Sequence, residues 1–186
     1  MKRIVLVTLF ALALAPGLFA QNHGNLGAFF NYTRLANTDT NFYGVGGRVG
    51  FNVAKHVQFE AEGAYDFEQD FTLNATSAGN PTFVGQRAGV RMVHGLFGPK
   101  LQIGTGAFRL FATAKGGLIN FSTATGFQTQ ISQIRDGDTD AVFYPGGGVE
   151  IYAGRLGLRA EIGDEIWFAN TTNNNLRITF GPQIRF

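Results

Sequence analysis

The sequence predicts an all-β fold: an eight-stranded antiparallel up-and-down transmembrane β-barrel with a cleaved N-terminal signal peptide. Three observations predict it. The chain ends in an unbroken alternation, with Leu176, Ile178, Phe180, Pro182, Ile184 and Phe186 on one side and Arg177, Thr179, Gly181, Gln183 and Arg185 on the other. That is the period of a strand, at a length that spans a bilayer with one face in an apolar medium. Seven earlier segments repeat the pattern, and the connections between them alternate between short and long.

The N-terminus comes first in order. Lys2 and Arg3 form a short basic region, and Ile4 to Ala15 is an apolar run too short to cross a bilayer comfortably. Pro16 and Gly17 break it before Leu18-Phe19-Ala20. This is the pattern of a secretory signal peptide over residues 1–20, cut after Ala20, although Leu18 stands where a small side chain is favoured. Of the 15 Lys and Arg residues two leave with the leader, so 13 face 13 Asp and Glu, and the formal charge of +2 carries no argument for nucleic acid. The absence of cysteine excludes disulfides, thiolate metal sites and a lipid-modified cysteine. No stretch after the leader is apolar enough for a membrane helix, so a membrane location requires a closed barrel.

The first two segments, Leu26–Arg34 and Phe42–Val53, are joined by the polar connection Leu35–Asn41. The short turn Ala54-Lys55-His56 leads to Val57–Phe67, where Val57, Phe59, Ala61, Gly63, Tyr65 and Phe67 alternate with Gln58, Glu60, Glu62, Ala64 and Asp66. After the long connection Glu68–Gly89 come Val90–Ile103 and, across the turn Gly104–Ala107, Phe108–Phe121; both are noisier, because Leu96 and Phe111 fall on the polar face. Ser122–Asp140 leads to Ala141–Ala153, and the turn Gly154-Arg155-Leu156 to Gly157–Phe168, in which Leu158, Ala160, Ile162 and Ile166 oppose Arg159, Glu161, Gly163 and Glu165. Ala169–Asn175 then precedes the last strand, Leu176–Phe186. Short turns on one side and longer loops on the other suit a barrel with short periplasmic turns and external loops. The 26 glycines are spread through the strands, where they allow bends and close approach of facing chains.

Alternation alone does not say which face is inside, and a soluble lipocalin-like barrel would turn the apolar set inward. Two features favour lipid outside. The apolar face carries almost no charge, with Asp164 the clear exception. Aromatics gather near the loop ends of the segments, at Tyr32, Phe42, Tyr43, Tyr65, Phe67, Phe143, Tyr144, Trp167 and Phe168, as an interfacial girdle would. Pro99 and Pro182 are awkward under either reading, since a closed barrel bonds both edges of each strand. Residues 21–186 are thus expected to form one outer-membrane β-barrel domain.

This register sends Arg48, Lys100, Arg109, Lys115, Arg159, Arg177 and Arg185 into the lumen, with Glu60, Glu62, Asp66, Glu150, Glu161 and Glu165. An eight-stranded barrel is only wide enough for side chains to fill, so these charges are expected to pair across it and to bond trapped water. A selective ion path is the alternative, but a conducting pore would show one sign in excess, and seven cations against six anions is nearly balanced.

Phe97-Gly98-Pro99-Lys100, Arg159-Ala160-Glu161-Ile162-Gly163-Asp164 and the ending Phe180-Gly181-Pro182-Gln183-Ile184-Arg185-Phe186 resemble the small outer-membrane β-barrel domain family of the OmpA-transmembrane or OmpX type. The resemblance covers essentially the whole mature chain. It implies a monomeric barrel among outer-membrane lipid and lipopolysaccharide, with a structural, adhesive, immune-evasive or weak-channel role. Phe186 resembles the C-terminal insertion signal read by the barrel-assembly machinery. The separate periplasmic domain of full-length OmpA-type proteins is not seen in this sequence, which argues against a peptidoglycan anchor.

Other motifs are weak. A lipid-modifying enzyme needs a nucleophilic serine near a histidine and a carboxylate. Here Ser77, Ser122 and Ser132 fall in or beside the long loops, while His23, His56 and His94 do not. His94 can approach an interior carboxylate, but as a filler of a polar lumen; no enzyme and no cofactor are expected. Asp136, Asp138 and Asp140 have calcium-like spacing, yet Ala141 and Gly147 stand where an EF-hand loop has glycine and its closing glutamate, so a solvated turn is the default. The glycine runs at 44–47 and 146–148 lack the lysine and helix of a phosphate loop, and four Asn-x-Ser/Thr triplets are too short a pattern to mean glycosylation. The loops carry Phe71, Leu73, Phe83, Val84, Phe127, Ile131 and Ile134, which either contact a surface ligand or pack over the barrel mouth.

Overall fold

The computed structural model describes residues 23–36, 40–73, 86–104, 106–123, 139–168 and 172–186. They form eight strands: β1 (Gly24–Leu35), β2 (Thr40–Ala54), β3 (Val57–Leu73), β4 (Gln86–Ile103), β5 (Phe108–Thr123), β6 (Thr139–Ala153), β7 (Leu156–Phe168) and β8 (Thr172–Arg185). Each pairs antiparallel with the next, and β8 returns to β1, so the sheet closes into a barrel. The seam is tightened at the turn end, where the Phe186 carbonyl accepts from the His23 and Gly24 amides at 2.8 and 3.0 Å. The tight turns use Gly104 and Gly154 at φ of 97° and 65°, a region that L side chains rarely adopt.

The strands run further into the loop side than alternation predicts. β3 extends to Leu73 and β4 begins at Gln86, so the connection expected over Glu68–Gly89 is shorter than the sequence suggests. Ladder bonds are made by the backbone and survive where side-chain alternation fails; here a register shift between Asp66 and Gln69 resets the pattern before pairing resumes.

The outer surface is an apolar belt. Phe30, Phe97, Leu101, Leu118, Ile151, Ile162 and Phe180 are all more than half exposed, and Phe59 stacks on Phe97 at 5.7 Å. In water this would be a continuous apolar patch far larger than monomeric proteins show; against hydrocarbon it is the favourable face. Charged side chains such as Arg34, Arg91 and Asp164 lie toward the loop ends, where Asn174 donates to Asp164 at 2.8 Å. The aromatic girdle is smaller than expected. Tyr32, Tyr43, Tyr65, Phe67, Phe143 and Phe168 do face out, but Phe42, Tyr144 and Trp167 are buried inside the barrel.

The prolines are accommodated by interrupting one ladder each. Pro99 pairs Phe59 of β3, while the β4–β5 register skips from Phe97↔Gly116 to Lys100↔Thr113. Pro182 pairs Leu158 of β7, while the β8–β1 register skips from Gly27↔Gln183 to Phe30↔Phe180. Pro145 does the same toward β7, between Phe143↔Ile166 and Gly146↔Gly163. Proline has no N–H to give, so the strand turns its missing donor to the broken side. Beside two of them, Gly98 and Gly181 bring the neighbouring strand so close that a Cβ would run into the carbonyls of Ala114 and Ala28.

Candidate functional site

The lumen is filled in three layers. The central layer holds charge. Arg159 grips Glu60 with both terminal nitrogens, at 2.5 and 2.9 Å, and also donates to Glu161 at 2.6 Å and Glu150 at 3.1 Å. Lys100 bonds Glu150 at 2.6 Å, and Lys115 bonds Glu62 at 2.7 Å and Glu161 at 3.1 Å. Arg48 reaches Glu161 at 2.9 Å from the far wall. No side chain in these pairs is more than 3% exposed. The guanidiniums also lie on aromatic platforms, Arg159 over Phe111 at 4.0 Å and Arg48 over Phe29 at 4.4 Å. Leu96 and Phe111, anomalies in the alternation, are therefore lumen packing.

Above these pairs the bonds close a ring. Arg177 donates to Glu62 at 2.6 Å and to Asn31 at 2.7 Å, and Asn31 donates to Asp66 at 2.7 Å. His94 stands between Asp66 at 2.9 Å and Glu165 at 3.0 Å, and Glu165 lies 3.7 Å from Arg177. Both imidazole nitrogens face carboxylate oxygens, a geometry that only the doubly protonated ring satisfies with two donated hydrogen bonds. Five Lys and Arg side chains face six carboxylates in this network, and His94 stands as the sixth cation. With its nitrogens engaged by carboxylates, His94 has none left to activate a nucleophile.

Toward the loop end the charges give way to an apolar stopper. Leu35, Phe42, Val90, Met92, Leu96, Ile119, Phe121, Val142, Tyr144 and Trp167 form one buried cluster across the lumen, with Phe121 and Trp167 rings 5.1 Å apart. At the turn end the lumen is polar: Gln183 donates to the Tyr152 hydroxyl at 2.8 Å, Asn25 to Gln58 at 3.3 Å and Gln58 to Asn52 at 2.8 Å.

Eleven of the thirteen residues expected in the lumen network are brought together: Arg48, Glu60, Glu62, Asp66, Lys100, Lys115, Glu150, Arg159, Glu161, Glu165 and Arg177. Arg109 and Arg185 are corrections. They share the inward parity but sit at the turn-end mouth, half-buried, where Nε of each donates to a turn carbonyl, Gly106 at 3.4 Å and Gly154 at 2.8 Å. Asp136, Asp138, Ser77 and Ser132 lie outside the described residues; Asp140 is the second residue of β6, opposite Ile119, and Ser122 donates to Asn120 at 3.2 Å. Sequence reasoning puts His94 in the lumen near a carboxylate but not between two, and it misses the stopper. Parity finds the stopper, since Trp167 is two residues on from Glu165 and Phe121 six on from Lys115.

No family model and no curated protein matches this sequence. Solved structures share its architecture. Neisserial surface protein A aligns with a TM-score of 0.59 at 10% identity, over 88% of this chain and 96% of that one. Ail, the attachment invasion locus protein of Yersinia pestis, solved in complex with the heparin analogue sucrose octasulfate, gives 0.54 at 11% identity, over 89% and 98%. Outer membrane protein W of E. coli gives 0.52 at 11%, over 91% and 100%. At these identities the likeness is one of fold: the chain has the architecture of the small eight-stranded outer-membrane barrels, of the OmpA/OmpX type.

Proposed function

We propose that this protein is a monomeric integral outer-membrane barrel, closed to ions, whose role at the cell surface is structural or interactive through its loop connections. Residues 1–20 direct Sec-type export, residues 21–186 form the barrel domain, and Phe186 presents the insertion signal to the barrel-assembly machinery. The observation that carries the reading is the layered lumen: a balanced, ion-paired charge network beneath an apolar stopper fits a lumen closed along its axis. Lipid and lipopolysaccharide contact the belt, which leaves the loops as the variable surface. Ail was solved with a heparin analogue, but the connections here carry Asp39, Asp136 and Asp138 against Arg135, which favours cationic or neutral partners over a sulfated chain.

Planar-bilayer recording of the refolded mature chain tests the closed lumen, with Arg159→Ala and Glu161→Ala alongside. Silence in the wild type, with any steps confined to the variants, is the expected result. Reproducible wild-type steps whose selectivity changes in the variants would establish the second reading, a narrow channel for ions or small solutes.

A further inference from the structure

The two ends of the barrel differ in charge. Lys55, Arg109, Arg155 and Arg185 all lie at the turn end, and among the described residues no Asp or Glu lies between Glu150 and that end. The Phe186 carbonyl there accepts from the His23 and Gly24 amides. Elsewhere in this molecule a lumen cation has a carboxylate within reach; Arg109 and Arg185 instead share one aromatic ring, their guanidiniums 5.0 and 4.7 Å from the centre of Tyr152. Two like charges on one ring repel each other, and the turn carbonyls take only the Nε of each arginine, which leaves the terminal N–H groups for a bidentate oxyanion.

Beside this pair the lumen mouth opens into a cavity of about 350 Å³, lined by His23, Asn52, Lys55, Gln102, Gly104 and Arg109. The wall mixes two cations and polar side chains with apolar Val53 and Ala54, Arg109 projecting from the start of β5 and Lys55 from the turn between β2 and β3. Glu150, the nearest lumen carboxylate along the ladder from Arg109, is taken by Lys100 and Arg159.

We propose that this mouth is a binding site for a phosphate oxyanion, with Arg109 and Lys55 as its cationic ligands and Arg185 supporting from across Tyr152. The phosphate belongs either to a phospholipid headgroup of the adjoining leaflet or to a free soluble phosphate. The site is independent of the sealed lumen above it, so its failure would leave that reading intact.

The test uses the refolded mature chain in lauryldimethylamine oxide micelles, which hold no phosphate, followed by amide NMR shifts. One arm titrates inorganic phosphate against chloride at matched ionic strength; the other adds phosphatidylglycerol to the micelle. Saturable shifts at residues 52–55 and 102–109 are expected, at least tenfold weaker in Arg109→Gln and in Lys55→Gln, and unchanged in Arg155→Gln, which alters a turn cation outside the cavity. A response only to phosphatidylglycerol assigns the site to lipid, and a response to inorganic phosphate assigns it to the soluble anion. Lys55 is exposed on a turn, so its variant keeps the test decisive should Arg109→Gln fold poorly. No shift in either arm, shifts reproduced by chloride, or equal shifts in Lys55→Gln would overturn the proposal.

Discussion

At the scale of single residues, stability in the lumen rests on charges that have no access to water. Glu161 is the clearest case, since Arg48, Lys115 and Arg159 all donate to it. Glu161→Gln leaves those cations short of a counter-charge, and removing one member of a buried network costs about 3–5 kcal/mol. Urea titration of folding into lipid vesicles should read a loss of that size. His94→Leu should cost a similar amount, because Asp66 and Glu165 would then face each other with no imidazole between them. A change under 0.5 kcal/mol in either variant would show that trapped water carries what the ion pairs are credited with.

At the scale of strands, the Gly-Pro pairs set how closely neighbours pack. Gly98→Ala and Gly181→Ala each drive a methyl into a facing carbonyl, and overpacking of this kind costs about 1–3 kcal/mol. Gly95→Ala, where nothing lies within reach of the new methyl, should be neutral or slightly stabilising in the same titration. These elements also show what was legible in advance. All eight strands and the inward parity of eleven network residues could be read from alternation, because a period of two is enforced wherever one face meets lipid. Strand ends could not, since Gln69 and Asp70 look like loop while their backbone stays in the ladder. Aromatic character alone puts Phe42, Tyr144 and Trp167 in the girdle, although their parity from Arg48, Glu150 and Glu165 points inward. Arg109 and Arg185 had the right parity but the wrong height, which alternation does not encode.

At the scale of the whole molecule, the apolar exterior and charged interior invert the arrangement of a soluble barrel, and the bilayer is what makes this arrangement stable. Phe97→Arg, placed mid-belt opposite Ala61 and Gly116, should destabilise by about 2–4 kcal/mol in vesicles. The same change made at Phe168, near the loop end, should cost about 1 kcal/mol or less. Equal effects at both depths would mean that the belt does not meet hydrocarbon as described.

The chain's single tryptophan lies within the stopper, 2% exposed, its indole packed against the Phe121 ring. It is thereby screened from acyl chains once the wall is complete, but not before. Brominated lipids should quench Trp167 emission transiently during refolding and lose their hold as β1 meets β8, so the protein carries a natural clock that separates arrival in the bilayer from closure of the cylinder.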